Sequence, residues 1–93
     1  MSSHTLPLRL RIAQVVEQAD EKAMTAEEIY ELIKDEYQGE GQFSLPKMEW
    51  HLMCIKAVGL IEGVEPYWNS EGEACYKYRI TQAGRRNLAY LKK

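Results

Sequence analysis

SLPKMEWHLMCIKAVGLI, residues 44–61, is the stretch whose reading decides the fold. At roughly 100° per residue, Leu45, Met48, Leu52 and Ile55 fall on one side, the stripe of a helix packed on a core. Ser44 supplies an N-cap, because its hydroxyl can accept a bond from a first-turn amide that has no helical partner, and Pro46 has no such amide to leave orphaned. Gly59 can take the left-handed conformation that closes a helix, and Leu60 and Ile61 begin an extended run. The spacing therefore predicts a helix from Leu45 to about Val58 that turns a corner directly into a strand.

Working outward toward the N-terminus, QGEGQF, Gln38 to Phe43, carries two glycines and reads as a flexible turn. Before it, Ala26 to about Tyr37 forms a helix with Ala26, Ile29, Tyr30, Ile33 and Tyr37 inward and Glu27, Glu28, Glu31, Lys34 and Asp35 in solvent. Its start is marked twice. Thr25 and Glu28 have the spacing of a capping box, and Met24 and Ile29 that of a hydrophobic staple. Ala23 and Met24 suit a very short strand. Pro7 to Ala19 gives a first helix, with Leu8, Ile12, Val15, Val16 and Ala19 on one side and Arg9, Arg11, Gln14 and Glu17 on the other. Residues 1–6 read as a frayed end.

In the other direction, Leu60 to Trp68 and Ala74 to Ile80 are β-like, and NSEG, residues 69–72, is a turn cluster between them. Tyr76, Tyr78 and Ile80 alternate with Cys75, Lys77 and Arg79, which makes a hairpin with two distinct faces. Pro66 would remove a ladder hydrogen bond, so it belongs on an outward edge or at a bulge. Thr81 caps a last helix, Gln82 to about Leu91, with Leu88 and Leu91 inward and Arg85, Arg86, Lys92 and Lys93 wet.

The expected architecture is α+β and mainly α: three helices, a two-stranded wing and a C-terminal helix in a single winged helix-turn-helix domain over residues 1–93. TAEEIYELI together with SLPKMEWHLMCIKAVGLIE resembles the DNA-binding half of ferric-uptake-regulator proteins, with their Ser-initiated recognition helix and Gly-Leu-Ile corner. YRITQAGRR is similar to the exit from the wing in PadR-type and MarR-type regulators. The likeness spans roughly residues 8 to 90 and is specific for the winged-helix superfamily, since it consists of caps, a corner and apolar spacing. The histidine-rich metal-binding domain of the ferric-uptake proteins has no counterpart in this sequence, so metal sensing is not implied. The extra dimerisation helices of the other two groups are also absent, which leaves the first and last helices for that task.

Composition narrows the function classes. Ninety-three residues with 45% hydrophobic content suffice for one modest core and are too few for a conventional two-domain enzyme. There is no nucleophile elbow, phosphate loop or histidine–acid constellation, so no enzyme activity and no cofactor are expected. Cys54 and Cys75 form no CxxC pair and have no histidine beside them, so neither a zinc site nor a disulfide framework is expected. Small half-buried thiols are the plainer reading of both, with a redox switch as the sharper one. His4 in the terminus and His51 read as polar surface residues. No apolar run reaches membrane-spanning length and no signal-peptide core is present, which makes a cytoplasmic protein the expectation.

The resemblance implies double-stranded DNA as partner, with the third helix in the major groove and the wing on the backbone, and the short single domain implies a homodimer, since one recognition helix reads too few base pairs. Ser44, Lys47, Trp50 and His51 are then the residues that meet bases or phosphates, supported by Thr25 at the start of the second helix and by Lys77 and Arg79 on the wing. Where Trp50 stands, the resembling regulators commonly carry arginine, the better reader of guanine. Charge is one-sided: residues 1–46 hold four basic and nine acidic side chains, residues 47–93 eight and five. Glu49, Glu71 and Glu73 nevertheless lie where phosphate would be repelled, so modest and salt-sensitive affinity is expected.

A competing signal runs along the same helix. Pro46, Trp50, Met53 and Ala57 form a second apolar stripe opposite Met48 and Leu52. In the plainer reading Met53 and Ala57 pack against the first or last helix. In the other, Trp50 and Met53 join Tyr67 and Trp68 of the hairpin in a surface for a protein partner or a second copy.

Overall fold

The computed structural model describes residues 7–41 and 43–91, with the side chain of Leu91 excepted. The frayed end expected over residues 1–6, His4, Gln42, Lys92, Lys93 and the inward placing of Leu91 lie outside the described residues.

Four α-helices and one antiparallel hairpin follow in the order α1 (Leu8–Gln18), α2 (Ala26–Ile33), α3 (Leu45–Ala57), β1 (Ile61–Trp68), β2 (Ala74–Ile80) and α4 (Gln82–Leu91). The fold is α+β, mainly helical, with the hairpin directly after the third helix in the winged-helix arrangement. The starts of α2, α3 and α4 are each fixed by a side-chain cap. Thr25 accepts from the amide of Glu28 at 3.0 Å while the Glu28 carboxylate accepts from the amide of Thr25 at 2.9 Å, a complete capping box. Ser44 Oγ accepts from the Lys47 amide and Thr81 Oγ1 from the Gly84 amide.

The corner after α3 is a Schellman closure. Gly59 has φ +86°, its amide reaches the carbonyl of Lys56, and the amide of Leu60 reaches that of Ile55. Thr81 then ties the corner to the last helix, since its hydroxyl lies 2.7 Å from the Gly59 carbonyl oxygen and its amide donates to that of Leu60. α4 approaches so closely that a Cβ on Gly84 would stand 2.2 Å from the Leu60 oxygen, which explains a glycine in the first turn of a helix. The corner therefore fixes the direction of α3, the wing and α4 together.

One core lies beneath these elements. Ile12 and Val16 of α1, Ile29 and Ile33 of α2, Met48 and Leu52 of α3, and Ile61 of β1 are wholly enclosed, with Tyr78, Ile80 and Leu88 beside them. Met24 forms a single antiparallel bridge with Tyr78, so the expected short strand is one residue that pins the α1–α2 connection to the wing. The hairpin register shifts between Gly63 and Pro66, which puts Pro66 at the edge of a bulge, opposite Tyr76.

Two local expectations change. The second helix does not run evenly to Tyr37: it stops at Ile33 and tightens into a 3₁₀ turn over Lys34–Glu36. That turn keeps Ile33 and Tyr37 buried and brings Glu36 to Arg11, whose guanidinium bonds both carboxylate oxygens at 2.9 and 3.0 Å. The glycine-bearing turn is also anchored, because Phe43 stacks on Tyr30 with ring centroids 4.7 Å apart.

Candidate nucleic-acid interface on the third helix

α3 presents its inner side to the core and its outer side to solvent, with α1 along one flank and the wing along the other. Met48, Leu52 and Ile55 are buried as their spacing requires. Pro46, Trp50, Met53 and Ala57 are all exposed, Trp50 at 52% and Met53 at 61%. The packing of Met53 and Ala57 against the first or last helix does not occur. α1 reaches this ridge only through Arg9 over Trp50, and Met53 and Ala57 stay exposed.

The α1 flank carries positive charge. The Arg9 guanidinium lies 4.7 Å from the centre of the Trp50 ring and donates through Nε to His51 Nδ1 at 3.1 Å. His51 is therefore not the surface residue expected: it is 4% exposed, and Nδ1 accepts a bond, so a neutral ring carries its proton on Nε2. Burial removes it from direct contact with a nucleic acid and makes it a bracket between α1 and α3. Lys47, one turn before His51 on the same side of the helix, is exposed and donates to the Gly41 carbonyl at 3.1 Å. Ser44 is half-buried and its hydroxyl is engaged in the cap.

The wing flank carries negative charge near the start of α3, while at its far end Lys56 lies over the Tyr76 ring, 5.8 Å from its centre. Glu27 from α2, Glu49 from α3 and Glu71 and Glu73 from the hairpin turn line one cleft of about 380 Å³, with Pro46 at its edge. Burial pushes the Glu49 carboxyl above its ordinary range, helped by Glu27 and Glu73, while a bond with Cys75 pulls it back. Burial and then Glu49 push the Cys75 thiol up. Within the turn, Asn69 Oδ1 accepts from the amides of Glu71 and Glu73, both at 2.9 Å.

The remaining candidates disperse. Lys77 pairs with Glu65 at 3.4 Å and Arg79 with Glu62 at 2.9 Å, so both wing cations are partly neutralised within the hairpin. Thr25 is committed to its capping box and lies near the Tyr67 hydroxyl. Tyr67 is half-buried, Trp68 is 74% exposed, and among the described residues no ring contact joins either to Trp50. Trp50 and Trp68 are each exposed. Tyr78, packed in the core, has its phenol pushed up to about 12, chiefly by burial.

Arg9 and the acid-lined cleft are the features that the sequence did not reveal. Arg9 reaches α3 across 42 positions of chain, and neither periodicity nor charge count marks such a contact. Among the described residues no cluster of three or more potential metal ligands occurs, and no helix is long and apolar enough to cross a membrane.

No family model matches the chain, and no curated protein matches it. Among solved structures it is similar to a crystal structure from Thermoplasma acidophilum, that of the candidate transcriptional regulator TA0346. The TM-score is 0.59 over 89% of this chain and 78% of that one, at 23% identity, a likeness of fold.

Proposed function

We propose that the protein is a small cytoplasmic transcriptional regulator of the winged-helix type that binds double-stranded DNA as a homodimer. The observation that carries this reading is the outward presentation of α3, with exposed Lys47 and the Arg9 guanidinium flanking Trp50 beside the hairpin. The fold shared with a candidate regulator supports the same class. Arg9 supplies from α1 the guanidinium that position 50 lacks. Lys47 meets a phosphate or a guanine edge, Trp50 packs against the groove wall, and Arg79 and Lys77 reach the backbone once their glutamate pairs exchange for phosphate. His51 and Ser44 act indirectly, by holding Arg9 and the start of α3.

With about three phosphate contacts, raising salt from about 50 to about 200 mM should weaken binding about fortyfold. A mobility shift on pooled genomic duplexes at these two salt concentrations tests it, with Lys47→Ala, Arg9→Ala and Arg79→Ala alongside. Loss of affinity in the first two and a smaller loss in the third is expected. Absence of any shift at low salt, or one that all three variants leave unchanged, would contradict the reading.

The uncovered ridge Pro46, Trp50, Met53 and Ala57 favours a second reading, a winged-helix module that holds a protein partner. Retention of a partner by the wild type but not by Trp50→Ala distinguishes it from DNA binding.

A further inference from the structure

The outer side of α3 joins two surfaces that a nucleic acid does not want together: an apolar ridge and, along its wing edge, a cleft of carboxylates. Pro46 belongs to both, so the two are continuous. α3 has 13 residues, which offers a ridge of about 20 Å. Four carboxylates line the cleft, with no lysine or arginine among its described lining residues. Phosphate entering there would be repelled, whereas an ammonium or guanidinium would gain from all four. Exposed apolar side chains beside a concentrated negative field thus specify the occupant by charge complementarity: a segment that is apolar on one side and basic on the other.

We infer that this face is a docking site for a basic amphipathic segment of a partner protein, its apolar residues on the Trp50–Met53 ridge and its lysines or arginines in the Glu27–Glu49–Glu73 cleft. Such a segment lies across the helix that the regulator reading presents to DNA. Its docking therefore displaces DNA and makes the site regulated by occlusion. The occlusion rests on the DNA reading above; the docking itself does not.

The test uses a labelled synthetic helix of leucine and lysine, about fourteen residues long, and a control with glutamate in place of lysine, followed by fluorescence anisotropy without DNA. The lysine peptide should bind and the glutamate peptide should not. Glu49→Gln with Glu73→Gln should weaken binding about three- to tenfold, and Met53→Lys by about tenfold. Equal binding of both peptides, or an unchanged affinity in the double glutamine variant, would overturn the proposal. So would a wild type that sediments as a dimer and a Met53→Lys variant that sediments as a monomer, because a second copy would then occupy the face. DNA binding measured without peptide fails separately if only the regulator reading is wrong. If both bind, the peptide should release a bound duplex in proportion to its occupancy.

Discussion

The inner and outer sides of α3 are almost equally apolar in sequence and opposite in fate. Met48, Leu52 and Ile55 are enclosed, while Pro46, Trp50, Met53 and Ala57 stand in solvent. What separates them is the position of the neighbours. α1 reaches one flank through Arg9 and His51, the wing reaches the other through Glu49 and Cys75, and among the described residues no element closes over the ridge between. An apolar side chain inside contributes stability, whereas the same chemistry outside is available for binding.

The sharpest way to break this contrast is to truncate one residue on each side. Leu52→Ala should cost about 2–5 kcal/mol, because a fully enclosed side chain leaves a cavity, and Met53→Ala should stay within about 0.5 kcal/mol. Urea unfolding of the two variants measures both. Similar losses would mean that the ridge is covered in solution, for example by a second copy.

A smaller effect separates the carboxylates that flank the helices. Glu36 has its carboxyl lowered by Arg11, so the stability it contributes is present above the ordinary carboxylate value of 4.5 and is lost as pH falls through the lower folded value. Glu49 is raised by burial, which has the opposite sign: the folded state takes up a proton more readily, and stability rises as pH falls from the raised value toward 4.5. Glu49→Gln should therefore raise the melting temperature slightly at pH 7, with the gain shrinking toward pH 4, and Glu36→Gln should lower it at pH 7. Thermal melts at both pH values check the signs. A Glu49→Gln variant that is less stable at pH 7 would show that its carboxylate serves the fold and not the cleft.

The parts of the molecule written in short-range patterns were legible in the sequence. The Thr25–Glu28 box, the Ser44 cap, the Gly59 corner and the hairpin turn each depend on residues within a few positions of one another, and their local energetics do not wait for the tertiary fold. The core stripe of α3 was legible for the same reason. The site was not, because its decisive contacts are long-range. Arg9 meets Trp50 and His51 only when α1 crosses α3, and Glu27, Glu49 and Glu73 share a cleft only when the hairpin folds back. Helical periodicity reports that a side of α3 is apolar, and it carries no information on whether another element covers that side. The sequence reads His51 as a polar surface residue, whereas the Arg9 bond holds it buried between α1 and α3.

Trp50 sits at the centre of the disputed face and offers its own signal. With Trp68→Phe, it becomes the only tryptophan in the chain. Titration of this variant with pooled genomic duplexes at low salt should change the Trp50 emission saturably, and added salt should reverse the change as the phosphate contacts are lost. An emission that stays constant through the titration, with the protein folded by circular dichroism, would contradict the account that α3 meets DNA through its outer side.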